Sequence, residues 1–139
     1  MLIPIETYRQ CECVDITEQL QALVHSAKMH SGSLDVFCPH TTCGLTLNEG
    51  DDPDVLDDLL LALERLAPQS PDYKHWEGNS PAHIKTSLIG SSLRLCVEEG
   101  QLLMGTWQRC FLVEFDGPRN RQIRVKMTCS EERIQDELL

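Results

Sequence analysis

Gln122-Ile123-Arg124-Val125-Lys126-Met127 alternates polar and apolar side chains without a break. Successive side chains on a strand point to opposite faces, so Ile123, Val125 and Met127 share one face and Gln122, Arg124 and Lys126 the other. This is the pattern of a half-buried antiparallel strand, one face on a core and one in water. Just upstream, Leu93, Leu95 and Val97 and then Thr106 to Phe115 read as strands, with Glu99-Gly100 and Asp116-Gly117 as turns. Arg119, Arg121, Arg124 and Lys126 cluster here against an acidic background, and they read as the solvated face of a strand rather than an anion site.

Toward the N-terminus, Ile3, Ile5, Cys11 and Cys13 suggest an opening strand or bent hairpin. Thr17 stands at a helix N-cap position, ahead of Leu20, Leu23, Val24 and Ala27 at helical spacing, and Ser31-Gly32-Ser33 ends that helix. Leu34 to Cys38 and Gly44 to Glu49 are short strands flanking Pro39-His40. Asp51-Asp52-Pro53-Asp54 opens a second helix, with a carboxylate cap, proline in the first turn and acidic residues at the dipole's positive end. Val55, Leu59, Leu60, Leu63 and Leu66 form its apolar face, and Pro68 stops it. Gln69 to Pro81 is loop, and Ala82 to Leu88 a short helical turn ending before Gly90. From Ser130 the chain becomes a polar tail, residues 130–139. Two helices and seven or eight short, mostly antiparallel strands make an α+β chain, a sandwich or barrel-like sheet with two outer helices.

The 139 residues are most simply one domain. No run approaches the ~18 apolar residues of a spanning helix, and the N-terminus lacks a signal-peptide pattern, so a cytoplasmic protein is expected. A net charge of −10 argues against nucleic acid or an anionic membrane as partner. Seven cysteines, odd in number and without C-x-x-C, are read as reduced thiols, mostly buried small hydrophobes. Trp76 and Trp107 are read as packing groups.

The chemistry concentrates in His75-Trp76-Glu77-Gly78-Asn79-Ser80-Pro81-Ala82-His83, and upstream in His40-Thr41-Thr42 and Asn48-Glu49. His40, His75 and His83 are candidate ligands of one metal ion, brought together by tertiary folding. Neutral imidazoles suit zinc, nickel, copper or iron better than magnesium. Glu49 or Glu77 would act as general base or orient a ligand, and Asn48 and Asn79 would donate to a developing oxyanion. The competing structural reading makes His83 part of a helical turn and Gly78-Asn79 ordinary turn residues.

His40-Thr41-Thr42, Asn48-Glu49, Asp52-Pro53-Asp54, Tyr73-Lys74-His75, Glu77-Gly78, Pro81-Ala82-His83-Ile84-Lys85, Gly105-Thr106-Trp107-Gln108 and Glu114, in that order, resemble the YjbQ-type family, also labelled secondary thiamine-phosphate synthase. The resemblance runs from about residue 4 to residue 128. It implies a β-sandwich-like fold with outer helices, assembled as a homotrimer. It also implies a polar pocket near the subunit interface that gathers His40, His75 and His83 with Asn48 and Glu49. Thr41, Thr106, Trp107, Gln108 and Lys85 would contact a small-molecule substrate. The implied reaction joins a pyrimidine diphosphate to a thiazole phosphate and releases diphosphate. Such chemistry calls for magnesium and for cations around the leaving group, which Lys85, Arg119 and Arg121 would supply if they face the pocket. Three imidazoles in an acidic chain suit zinc instead. The labelled reaction is therefore expected to be a side activity, with a metal-dependent hydrolase or a non-catalytic metabolite-binding trimer as the rivals.

Overall fold

In a computed structural model, residues 1–130 are described. The elements are β1 Leu2–Glu6, β2 Glu12–Asp15, α1 Thr17–Ser26, β3 Gly32–Phe37, β4 Cys43–Glu49, α2 Pro53–Leu66, α3 Ser80–Ile89, β5 Ser92–Glu98, β6 Gln101–Leu102, β7 Gln108–Glu114 and β8 Asn120–Cys129. All strand pairs are antiparallel, in a five-stranded sheet β1-β8-β3-β5-β6 and a three-stranded sheet β2-β7-β4. Of the polar tail, only Ser130 falls within the described residues.

β8 behaves as its alternation predicts. Ile123 and Val125 are buried, while Gln122, Arg124 and Lys126 face solvent. Their apolar face joins Ile3, Ile5, Leu34, Val36, Leu95 and Val97 of the same sheet, Leu45 and Leu112 of the other, and Leu20 and Val24 of α1 in one core. β7 is buried on both faces, which is why its sequence reads as a continuous apolar run. Cys110 and Leu112 enter the core between the sheets, whereas Phe111 and Val113 point the other way, against Leu63 of α2 and Ala82 of α3. The order of layers is thus large sheet, small sheet, α2 and α3. Among the described residues no helix is long and apolar enough to cross a membrane.

Three local expectations need correction. Thr17 is the first helical residue and not the cap. The Asp15 side chain accepts from its amide at 2.9 Å, and its own hydroxyl accepts from the Cys110 amide at 2.8 Å. α3 is a full ten-residue helix, so the described residues form three helices. Its buried residues are Pro81, Ala82, Lys85 and Thr86, a face too polar to announce itself by apolar periodicity. Trp76 and Trp107 are not packing groups, being 87% and 64% exposed. By contrast α2 begins as read, with Asp52 accepting from the Asp54 amide at 3.0 Å and Pro53 in the first turn.

Candidate active site

Three chain segments meet above one end of the small sheet. The first is Pro39 to Thr42, joining β3 to β4. The second is the loop before α3 with its first turn, which delivers His75, Glu77, Asn79 and His83. The third is the turn from β7 into β8, with Asp116, Arg119 and Arg121. Together they line a cleft of ≈ 390 Å³. His40, His75, His83, Thr41, Glu77 and Asn79 all lie in its wall, so chain folding brings these six expected residues to one place.

Beneath the cleft is a buried ion pair. Glu114 is fully buried, and its two oxygens accept from Arg121 Nε at 2.8 Å and Nη2 at 2.5 Å. Thr7 donates to the same carboxylate at 2.7 Å, and the Phe115 and Asp116 amides at 3.0 and 3.2 Å. Arg121 Nη2 also donates to Thr42 Oγ1 at 2.8 Å, which pins the His40 loop to the network. Burial pushes the Glu114 carboxyl up, but hydrogen bonds from Arg121, Thr7 and the Asp116 amide, with the guanidinium charge, outweigh it and hold it below its ordinary value. Solvation therefore describes Arg124 and Lys126 but not Arg121. The missed signal was parity, since Arg121 is in phase with Ile123 and Val125 and so belongs to the inner face.

Around the rim, Asp116 Oδ2 accepts from Asn79 Nδ2 and Arg119 Nη2, both at 2.9 Å. One amide hydrogen of Asn79 is thus committed away from any substrate, and its Oδ1 is buried without a partner. His40 Nε2 lies 3.0 Å from the Gln122 amide nitrogen and 3.1 Å from the Gln122 carbonyl oxygen. Burial, then the Arg121 charge, push His40 below its ordinary pKa against the Gln122 hydrogen bond and the Glu114 charge, which both favour the protonated ring. Below the loop, Cys38 and Cys43 lie with sulphurs 3.3 Å apart. The hydrogen bond from Cys43 brings the Cys38 thiol down to about 7 against the opposing effect of burial, while Cys43 is pushed up.

The His75 and His83 rings have centroids 5.2 Å apart at 82°. Two imidazoles on one tetrahedral zinc, each with Zn–N of ~2.0–2.1 Å, place their centroids about 5 Å apart. That pair fits a shared ion. Glu77 Oε2 is 3.9 Å from His75 Nε2, beyond hydrogen-bond distance. Among the described residues, however, no three His, Cys, Asp or Glu side chains are grouped as a metal would need. The Nε2 of His40 is engaged with the Gln122 backbone.

The other expected residues lie elsewhere. Asn48, Glu49, Thr106, Trp107 and Gln108 line a separate cavity of ≈ 320 Å³ at the far end of β4. Seven residue steps of extended chain carry Thr42 to Glu49, roughly 20 Å at strand rise. Locally, Asn48 Oδ1 accepts from the Glu49 amide at 2.7 Å and Gln108 Oε1 from the Gly105 amide at 2.8 Å. Lys85 lies in a third cavity, beside the histidine cleft, where it is buried and ion-paired to Glu64.

A two-sheet α+β domain with a histidine-lined cleft over a buried Arg–Glu pair is the class that fold and site define. The family model for UPF0047, YjbQ-like proteins matches residues 1–130, and the chain belongs to that family. YugU of Bacillus subtilis is 41% identical over 126 residues, 90% of this chain and 96% of that protein. A UPF0047 protein of Methanocaldococcus jannaschii is 43% identical over 123 residues, 88% of this chain and 89% of its own length. The crystal structure of an uncharacterised family member from Clostridium acetobutylicum superposes with a TM-score of 0.89 at 45% identity, covering 92% of this chain and 99% of that one. A YjbQ-like protein of unknown function from Sulfolobus solfataricus gives 0.88 at 34% identity, covering 94% and 96%.

Proposed function

We propose that this chain is a cytoplasmic small-molecule enzyme that works at the histidine cleft, with a divalent ion, zinc, held by His75 and His83 and completed by His40 once its ring turns from Gln122. The observation that supports it is the His75–His83 pair, whose ring centroids lie 5.2 Å apart, a separation compatible with a shared ion. Such an ion would supply Lewis-acid charge in the cleft. Glu77 lies beside His75, and the neutral ring of His40 would supply the third nitrogen.

Thiamine-phosphate synthesis is carried as a side activity. Arg119 is matched by Asp116, Arg121 by Glu114 and Lys85 by Glu64, so none of these three cations is left over for a departing diphosphate. Magnesium would have to accompany that substrate and take up its charge. The balanced cleft favours hydrolysis of a small, weakly charged metabolite, with Glu77 as the available general base.

We further propose that the active form is a homotrimer. Within one chain the Glu49 end lies far from the histidines, so a pocket uniting them takes a second copy. The exposed Trp107 at that end is suited to an interface.

The test sets diphosphate release from the pyrimidine and thiazole substrates against hydrolysis of a panel of simple esters, using purified protein with zinc or magnesium. Ester hydrolysis that exceeds diphosphate release and is lost in His75→Ala supports the proposal. Failure of both reactions, with ligand binding unaltered by His75→Ala and His83→Ala, would leave a binding trimer instead.

A further inference from the structure

We propose that Cys38 and Cys43 form a reversible oxidation site, which a hydroperoxide closes into a disulfide beneath the loop that carries His40, Thr41 and Thr42. Cys38 follows β3 of the large sheet and Cys43 opens β4 of the small one, so the two thiols bridge the sheets at the edge of the cleft. Their sulphurs are 3.3 Å apart, and a disulfide needs ~2.05 Å, a closure within reach of small side-chain rotations. Both side chains are buried. What separates them from the cleft is the four-residue loop itself, all of whose residues line it. A small peroxide would reach the sulphurs from that side when the loop opens.

The step balances without a cofactor. One sulphur attacks the O–O bond and takes up an oxygen as sulfenic acid, while the other oxygen leaves as water or an alcohol. The second thiol then displaces that hydroxyl as water. Two thiol hydrogens and two electrons pass to the peroxide, and a dithiol reverses the change by exchange.

Closure would also be felt in the cleft. The loop's ends are fixed by the Cys38 amide on the Ser91 carbonyl at 2.8 Å and by Thr42 on Arg121 at 2.8 Å. Replacing the 3.3 Å contact by a bond between those anchors changes the packing under the short span bearing His40, so oxidation is felt at the imidazole through its own loop.

The test uses the full chain with the exposed Cys96 and Cys129 replaced by serine, to remove intermolecular pairing. Folded protein is treated with hydrogen peroxide, alkylated after unfolding, digested and weighed. The expected product is a single Cys38–Cys43 link, lighter by two hydrogens and abolished by dithiothreitol, formed while the His40 ring resonance moves and that of His25 stays. In the same background Cys43→Ala should give no link and leave a sulfenic acid on Cys38. Should that variant not fold, the link found in its parent stands as the test. Both thiols still alkylated after excess peroxide, separate sulfonic acids, or pairing with any other cysteine would overturn the site. A link that leaves His40 unmoved would overturn its connection to the cleft.

Discussion

At the Thr42 end of β4, His40, His75 and His83 stand over a fully buried carboxylate held by a buried guanidinium. At the Glu49 end, the strand partner of Asn48 is Arg109, whose contacts with Asp15 at 2.7 Å and Glu18 at 3.1 Å are open to water. One strand thus carries two polar ends of opposite construction, one fixed from below and one loosely paired at the surface. Rigid support is what catalytic geometry needs, and it lies under the histidines alone. Among the described residues, the far end has no such buried pair beneath it and leaves Trp107 exposed.

The sharpest way to break this contrast is to remove one cation at each end. Arg121→Ala strands a buried charge and should cost about 3–5 kcal/mol in urea unfolding, since the lost partner leaves Glu114 desolvated and unpaired. Arg109→Ala removes screened, partly exposed pairs and should cost about 0–1 kcal/mol. Equal losses would mean that the two ends do not differ in this way.

Turnover sharpens the same comparison. If Glu49 serves a neighbour's cleft as base, Glu49→Gln should lower turnover roughly 10²-fold or more while metal content stays the same. Mixed with His75→Ala, it should recover activity, because some interfaces then pair an intact Glu49 with an intact His75. Recovery that fails in mixed trimers, with each variant folded, would confine the work to residues of a single chain.

Acid should weaken the histidine end. The Glu114 carboxyl is held below its ordinary 4.5, so below that value the unfolded chain binds the extra proton and stability falls as pH drops toward the lowered folded value. Asp15 at the other end carries a shift of the same sign, through Thr17 and Arg109 against burial, but it is exposed and its share is smaller. Glu114→Gln should flatten the acid limb of a stability–pH curve, and Asp15→Asn should barely change it.

The smallest expected effect is that of reductant. All seven cysteines are free, so dithiothreitol should leave the melting temperature of freshly purified protein unchanged. A marked fall would reveal a disulfide already present.

Much of this molecule could be read from its residues. Alternation in β8, the cap and proline of α2 and the turn at Glu99-Gly100 all depend on neighbours close in the chain. The family resemblance likewise needed only motifs in order. The histidine cleft was legible in part, because His75 and His83 share a loop and the helix it enters. Its support was not: Glu114 looked like one charge in an apolar strand, and although the phase of β8 turns Arg121 inward, only the packing of one sheet on the other places it against Glu114. Nor was the distance from His40 to Glu49 visible. Nine residues apart in sequence suggests proximity, but seven of them are an extended strand that carries the two ends away from each other. α3 escaped for a third reason, since a helix that buries Lys85 and Thr86 has no apolar stripe to find.

The most direct test of the account is elemental analysis of the untagged protein beside its His40→Ala, His75→Ala, His83→Ala and Glu49→Gln variants. Stoichiometric zinc in the parent and in Glu49→Gln, lost from the His75 and His83 variants and weakened in His40→Ala, is the predicted result. A parent without metal, or zinc that stays when the His75 and His83 rings are removed, would contradict it.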